Sequence, residues 1–403
     1  MDHHTVAVSV VKTLQQGGFT AYFAGGWVRD FLMKHPSDDI DIATDASVEE
    51  VQALFEKTIP VGVQFGIVIV VKEGHQFEVA TFRKDQKYKD GRRPIGIERA
   101  SPEEDAKRRD FTINGMFYDP LTERVYDYVK GQEDIKRGLI RAIGDPHERF
   151  LEDRLRMIRA IRYASRFNFQ IDPQTLEAIL DHAPTLFPAV AIERVWNELT
   201  KMAAFSNFDQ ALVSLHKLNL LPLIFPSLEE VSHTEIEQRV RHLPEFPSET
   251  PVIAKILELF PDKSLEDHEA LCSYLKLSND DLRFIRFYAQ AKTLFLEKKD
   301  HAPHVWAHFY AHPSYPLLLK IASLYYSKDK RADFLKKHQR RQKELQWAID
   351  KIQNRSPFLT AAMLRERGIP DGPQMGALLR QGEALAIDYK LCTPEEILSK
   401  LLS

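Results

Sequence analysis

Cysteine is nearly absent: Cys272 and Cys392 stand alone in 403 residues, which excludes a disulfide framework and a cysteine metal cage. Long apolar runs are missing as well. The longest candidate, Gly66-Ile67-Val68-Ile69-Val70-Val71, falls far short of the ~20 residues a membrane helix needs and reads as a buried strand. The start, Met1-Asp2-His3-His4, has neither a basic end nor an apolar core for secretion, so the expected setting is the reducing cytoplasm. No short-period repeat and no low-complexity tract is present. The dipeptide His-Asp does not occur, which leaves a metal phosphohydrolase centre of that type without support. Positive charge is not in excess either, since 55 Lys and Arg against 58 Asp and Glu give a net charge of −3. If the partner is a nucleic acid, its basic surface must be a local patch.

What is present is an ordinary globular composition, 44% hydrophobic and 28% charged, long enough for roughly two to four domains. Residues 5–17 carry apolar positions at helical spacing and end at Gly17-Gly18. Thr20-Ala21-Tyr22-Phe23-Ala24 then reads as a strand running into a glycine turn, Gly25-Gly26-Trp27-Val28-Arg29-Asp30, that opens a helix. Pro36-Ser37-Asp38 releases the chain into an acidic strand over residues 39–44. Ser47 with Glu49-Glu50 starts a third helix, and Gly66–Val71 and Phe77–Phe82 are paired strands joined at Glu73-Gly74. From Lys84 to Glu104 the sequence is too polar to pack by itself and is expected to be a mobile loop. A turn, strand and helix lead to Asp145-Pro146, and beyond Phe150 the pattern is helical almost throughout.

The acidic strand is the chemical centre of this pattern. Alternate side chains of a strand share a face, so Asp39 and Asp41 project together while Ile40 and Ile42 pack behind them. Paired carboxylates repel unless a cation lies between them, and Mg²⁺ takes such oxygen ligands while keeping waters and substrate phosphates. That is the equipment for nucleotidyl transfer. The glycines at 25 and 26 let backbone N–H groups approach phosphate oxygens, and Arg29 adds a forked donor. Arg108-Arg109-Asp110 offers two more forks for a triphosphate and one acceptor for a ribose hydroxyl, unless the arginines merely pair with Glu103-Glu104-Asp105. Glu78 is either a third carboxylate for the metals or an ordinary strand acid.

Residues 151–166 read as one helix, with Leu151, Leu155, Ile158 and Ile161 inward and an arginine row Arg156, Arg159, Arg162 outward. Asp153 and Arg156, three apart, would be surface neighbours, either as an ion pair or as a base reader. Cytosine and adenine both show an amino donor beside a ring-nitrogen acceptor, whereas guanine and uracil show the reverse order. A fixed Asp–Arg pair would therefore accept C and A and leave charged groups unpaired against G and U. His304, His308 and His312 recur at metal-ligand spacing, but Trp306, Phe309 and Tyr310 among them point to a packing helix. The basic run from Lys328 to Lys343, with Arg331, Lys336, Lys337, Arg340 and Arg341, is a solvated helix face or, for an RNA substrate, a backbone contact.

In order, Gly25-Gly26-x-Val28-Arg29-Asp30, Asp39-x-Asp41, Arg108-Arg109-Asp110-Phe111-Thr112-Ile113-Asn114, Glu152-Asp153-x-x-Arg156 and Glu193-Arg194-x-x-x-Glu198-Leu199 resemble the class II tRNA nucleotidyltransferases and bacterial poly(A) polymerases. The resemblance covers about residues 20–200. It implies an α/β nucleotidyltransferase head (1–145) followed by an all-α neck (146–225), body (226–325) and tail (326–403), the tail binding tRNA. It also implies Mg²⁺ on Asp39 and Asp41, and nucleotide phosphates or sugar on Gly26, Arg29 and Arg109, with Gly25, Arg108, Asp110 and Asn114 in the same nucleotide-binding set. Asp153 and Arg156 would read the base, supported by Arg159 and Arg162. Two departures are mild: Gln132 follows Gly131 where a second glycine is common, and Gly115 replaces a common alanine. The 83–107 segment is nearly full length and keeps Arg92-Arg93-Pro94, so a final adenosine addition is expected to be within reach. Poly(A) polymerases of the family commonly end in a basic extension, whereas this chain stops at Glu395-Glu396-Ile397-Leu398-Ser399-Lys400-Leu401-Leu402-Ser403. The expectation is therefore addition of C and A from CTP and ATP to tRNA 3′ ends, the alternatives being an A-only enzyme, a poly(A) polymerase or a noncatalytic RNA-binding relative.

Overall fold

The computed structural model describes residues 1–35, 37–62, 65–85, 97–296 and 300–403. They form two compact units, Met1–Gln238 and Arg239–Ser403. The first begins with α1 (His3–Gln16), N-capped by Asp2, whose Val6, Val10, Val11 and Leu14 are buried on one stripe. Then come β1 (Ala21–Ala24), α2 (Gly26–Leu32), β2 (Asp41–Thr44) and α3 (Val48–Leu54), the last started by a Ser47–Glu50 capping box. β3 (Thr58–Gly62) precedes the hairpin of β4 (Ile67–Lys72) and β5 (His75–Thr81). Its turn residues, Glu73 and Gly74, both have positive φ (51° and 80°), the conformation a two-residue hairpin turn of this twist requires.

The acidic strand is shorter than the alternation of 39–44 predicts. Ladder pairing starts at Asp41, opposite Ala24, and Asp39 lies just before it. The in–out alternation still extends to Asp39, which is exposed while Ile40 and Ile42 are buried. The loop expectation for 84–104 is also corrected at both ends. β6 (Arg83–Asp85) pairs with β7 (Ile97–Arg99), and α4 (Pro102–Lys107) starts at a Ser101–Glu104 capping box. Two capping hydrogen bonds and a proline at the first turn favour a helix that composition alone does not suggest. Residues 86–96, with Arg92-Arg93-Pro94, lie outside the described residues, as does Pro36.

After a single 3₁₀ turn over Thr112–Asn114, β8 (Met116–Asp119) and β9 (Arg124–Asp127) complete a seven-stranded sheet in the order β3-β4-β5-β2-β1-β8-β9. The β2–β5 contact is its parallel pair. α5 (Gly131–Arg137) packs on the 3₁₀ turn. The departure at Gly115 has a local reason, and Gly131 is closely packed as well. A Cβ at Gly115 would come within 2.7 Å of Val129 and 2.9 Å of Ile143, side chains that occupy the space an alanine would need. A Cβ at Gly131 would run into the Thr112 carbonyl and, at 2.9 Å, the Met116 sulfur.

The helix read over 151–166 is two helices. α6 (Pro146–Glu152) ends before Asp153, whose backbone is extended (φ −149°, ψ 103°), and α7 (Leu155–Phe167) follows. Asp153 accepts from the Leu155 N–H at 3.1 Å, so the side chain that spacing placed on a helical face instead caps the next helix. Leu151 is accordingly exposed, while Leu155, Ile158 and Ile161 are buried as expected.

The second unit is helical throughout its described residues. Its histidine trio is engaged by other side chains. His304 pairs with Asp388 at 2.8 Å, His308 with Glu383 at 2.6 Å, and His312 stacks on Phe287. Trp306, Phe309 and Tyr310 are buried in the same helix, Pro303–Ala311, which agrees with a packing role. The basic helix Lys328–Glu344 commits Arg331 to Glu245 and Arg341 to Asp300.

Substitution Gly131→Ala must displace the Thr112 carbonyl, and overpacking of this kind costs about 1–3 kcal/mol. Thermal melting should show that loss, accompanied by shifted amide signals at Asn114. Unchanged stability would mean that the turn is not packed as tightly as its geometry indicates.

Candidate active site

The sheet register builds the first half of the site. Ala24 pairs with Asp41 on one side and with Phe117 on the other, and the next residue, Gly25, turns the chain at φ 67° into α2. Asp41 therefore faces the turn, and only the absence of a Cβ at Gly25 leaves room. A Cβ there would sit 3.2 Å from Arg109 Nη1 and 3.7 Å from Asp41 Oδ2. Glu78 comes alongside from β5 through the parallel pairing of Ile42 with Val79.

Around this turn opens a cleft of about 1080 Å³, room for a nucleoside triphosphate. All the candidate residues named from the sequence line it: Gly25, Gly26, Arg29, Asp39, Asp41, Arg108, Arg109, Asp110, Asn114, Asp153, Arg156, Arg159 and Arg162. Its walls carry ten cationic side chains against six carboxylates, so the acidic chain does contain a basic concavity.

Asp41 is half-buried, and its carboxyl is pushed up to about 6 by burial, then by the charges of Glu78 and Asp39, with Arg109 acting in the opposite sense. Glu78 is raised by burial and by Asp39. Carboxylates that repel in this way are relieved by a hard cation. Among the described residues no three acidic, His or Cys side chains form a ready-made metal cage. Mg²⁺ does not require one, because it binds through one or two carboxylates and fills its other positions with water and phosphate oxygens. The donor set fits.

The pairing alternative for Arg108 and Arg109 is realised, and it orients them. Buried Asp105 accepts Arg108 on Oδ1 at 2.7 Å and Arg109 on Oδ2 at 3.0 Å, so one carboxylate carries two guanidiniums. Burial alone would raise the Asp105 carboxyl, but Arg109 and Arg108 hold it below its ordinary value. Arg29 is only 3% exposed and already engaged: it donates to Asp30 at 2.8 Å and to Asn114 Oδ1 at 2.5 Å. Asp110 is fully engaged too. Its Oδ1 accepts from the Phe111 N–H and Asn114, and its Oδ2 from Arg159, which occupies all four lone-pair directions. Against its burial, Arg159 and Asn114 hold it far below the usual carboxylate range.

Asp153 and Arg156 both face the cleft but do not pair with each other, contrary to the surface-neighbour reading. Arg194 donates to Asp153 at 2.7 Å, and Arg156 donates to Glu152 at 2.6 Å and to the Arg149 carbonyl at 3.0 Å. The Arg156 N–H still donates to the Asp153 carbonyl at 3.0 Å, but the extended backbone of Asp153 turns its carboxylate to the Leu155 N–H and Arg194 instead. Arg162 is buried on Glu198 at 2.6 Å, with its guanidinium over Tyr163.

The sequence reading did not include Arg83, Tyr163, Arg166, Lys201 or Phe205 among the site candidates, all of which line the cleft. Arg166 alone had a visible signal, since it continues the arginine row one further turn of the helix. The others arrive from segments whose approach depends on tertiary packing.

A turn that brings backbone amides and arginines to a strand-borne carboxylate pair defines the head of a nucleotidyltransferase. Residues 21–141 match the family model for the poly A polymerase head domain, and 168–231 match that for a probable RNA and SrmB-binding site of polymerase A. The CCA-adding enzyme of Streptococcus uberis is 31% identical over 96% of this chain and 93% of its own. The chain belongs to the class II CCA-adding enzyme family. The match to the Staphylococcus epidermidis enzyme is stronger but shorter, 40% identity over 58% of either chain, so that alignment spans less than two thirds of that relative's length. The crystal structure of the Bacillus stearothermophilus CCA-adding enzyme in complex with CTP superposes with a TM-score of 0.81 at 27% identity, covering 100% of this chain and 97% of that one.

Carboxyl-detected NMR of the protein without divalent cations should give Asp41 a titration midpoint at about 6. In Glu78→Gln that midpoint moves down, toward the ordinary value of ~3.9, because one repelling charge is gone. A midpoint already at the ordinary value in the unaltered protein would contradict the crowding of the three carboxylates.

Proposed function

We propose that this chain adds C and A nucleotides to the 3′ end of tRNA, from CTP and ATP and without a nucleic-acid template, completing the CCA terminus. The observation that carries the reading is one basic cleft lined by two chemically distinct groups: Asp41, Asp39 and the glycine turn, and Asp153 with Arg156. Support also comes from the full-length relative named a CCA-adding enzyme and from the likeness to one bound to CTP.

Mg²⁺ on Asp39 and Asp41, when bound, would activate the terminal hydroxyl and carry the charge of the departing pyrophosphate. The chain's own work is to position and neutralise. Arg108 and Arg109, aimed by Asp105, supply forked donors to the triphosphate at the glycine turn. Arg29 acts there as a fixed partial wall of positive charge, since its hydrogen bonds are already made. Asp153 takes the exocyclic amino donor of C or A while Arg156 serves the ring acceptor, and G or U would set a carbonyl oxygen against the carboxylate and an N–H against the guanidinium. Arg194 and Glu152 hold these two readers separately, so that neither neutralises the other. The four-part division into head, neck, body and tail is retained, with the exposed lysines 336 and 337 of the helix Lys328–Glu344 as tRNA backbone contacts. With no helix long and apolar enough to cross a membrane among the described residues, a cytoplasmic site of action is part of the same reading.

Pyrophosphate release in the presence of tRNA, CTP, ATP and Mg²⁺ should fall by on the order of a thousandfold in Asp39→Ala and in Asp41→Ala, with unchanged far-UV circular dichroism. Substantial residual turnover would remove the metal assignment. Exchanging Asp153 and Arg156 should lower discrimination against GTP and UTP by at least about tenfold; an unaltered preference would remove base reading by this pair.

A further inference from the structure

The cleft wall contains a closed circuit of hydrogen bonds that begins and ends on α7. Arg166 Nη2 donates to Asp30 Oδ2 at 3.2 Å, and Asp30 Oδ1 accepts from Arg29 Nε at 2.9 Å. Arg29 Nη1 donates to Asn114 Oδ1 at 2.5 Å, and Asn114 Nδ2 donates to Asp110 Oδ1 at 3.0 Å. Arg159 Nε closes the circuit on Asp110 Oδ2 at 2.9 Å. The members come from α2, the 3₁₀ turn before β8 and Asp110 just ahead of it, and two points on α7 separated by two helical turns. Asp30 is 4% exposed and serves two guanidiniums, so it is not a solvated helix acid. The Arg166 guanidinium also lies over Phe167 and Phe205, 4.7 and 4.8 Å from the two ring centroids.

We propose that Asp30 and Arg166 are positioning residues for base selection, fixing the tilt of α7 against the glycine turn. The inference rests on the nucleotidyl-transfer reading above and adds two residues to which no role attaches there. One anchor on a helix leaves it free to pivot, whereas two anchors seven residues apart, ~10.5 Å along the axis, fix its angle. Arg156 lies three residues, ~4.5 Å, on the other side of Arg159. With Arg159 as the surviving pivot, a shift of ~1 Å at the Arg166 end therefore moves the Arg156 end by ~0.4 Å in the opposite direction. The base edge is read at that end, and the reacting phosphate lies at the glycine turn to which Asp30 belongs. Selection of C and A needs both distances to be right together, and the circuit is the covalently independent link between them. Asp110 is already tied to Arg159, and Arg162 to Glu198, so loss of the Asp30–Arg166 contact loosens the tilt at the far end of the helix while leaving the pivot in place.

The test uses Arg166→Met, Arg166→Lys and Asp30→Asn in the full chain. With tRNA lacking its CCA end, the ratio of kcat/KM for CTP to that for UTP should fall on the order of tenfold in Arg166→Met and Asp30→Asn. It should recover in large part in Arg166→Lys, which keeps a cation for Asp30. The double variant Asp30→Asn with Arg166→Met should lose no more selectivity than Asp30→Asn alone, because the Asp30–Arg166 link is already broken in that single change. Loss of overall rate with an unchanged CTP-to-UTP ratio would overturn the proposal in favour of a structural role. Hydrogen exchange supplies a readout independent of catalysis: in Arg166→Met, amides at the start of α7 should exchange faster together with those around Asn114, and faster exchange confined to residues near 166 would equally overturn it. Should the unaltered protein extend no tRNA at all, the functional reading fails, and the exchange pattern alone decides whether the circuit positions α7.

Discussion

Everything in the cleft depends on buried carboxylates that each hold more than one cation. Ten cationic side chains could not line one concavity if each faced the others unpaired, and a buried ion pair is stable only where its remaining hydrogen-bonding groups are satisfied. Asp105 carries Arg108 and Arg109, Asp30 carries Arg29 and Arg166, and Glu198 carries Arg162 and Lys201. In each case one negative charge organises two positive ones. The surplus is what the cleft presents to a triphosphate, and the geometry is fixed before any ligand arrives.

The same arrangement explains why a chain with a net charge of −3 can have a nucleic-acid partner. Net charge governs solubility and long-range association, whereas a concave wall concentrates field locally. The carboxylates at Asp39, Asp41 and Glu78 run against this trend. They lie together at the glycine turn, where Asp41 and Glu78 bear the electrostatic cost as raised proton affinity. A site with a net excess of cations and a cluster of carboxylates at its glycine turn is suited to bind an anion and a hard cation at the same time.

Much of the head was legible because its signals are local. The Gly25 turn, the Ser47–Glu50 capping box and the Glu73-Gly74 hairpin each depend on residues within a few positions of one another, and all three formed where the sequence put them. Spacing misled at Asp153, where the apolar rhythm runs straight through a helix break. Leu155 and Ile158 keep the same inward face on both readings, and only the capping bond to the Leu155 N–H distinguishes them. The pairings of Asp105 and Glu198 with particular arginines, and of Arg194 with Asp153, could not be assigned from sequence. Acid and base are there separated by a fold, as with Arg162 and Glu198, or compete among adjacent acids, as with Asp105 among Glu103 and Glu104. The histidine spacing likewise carries no information about the acids of the neighbouring helix, Asp388 and Glu383, that pair with His304 and His308.

The most direct test of CCA addition is product length. Purified protein and Mg²⁺ are incubated with tRNA lacking its CCA end and, separately, with tRNA ending in CC, in the presence of CTP, ATP or both, and the products are resolved on a gel. Three nucleotides added to the first substrate with both triphosphates, and one adenosine to the second, is the expected result. Extension of the second substrate alone would make this an A-adding enzyme, long adenosine ladders a poly(A) polymerase, and no extension of either would contradict a catalytic role for the cleft.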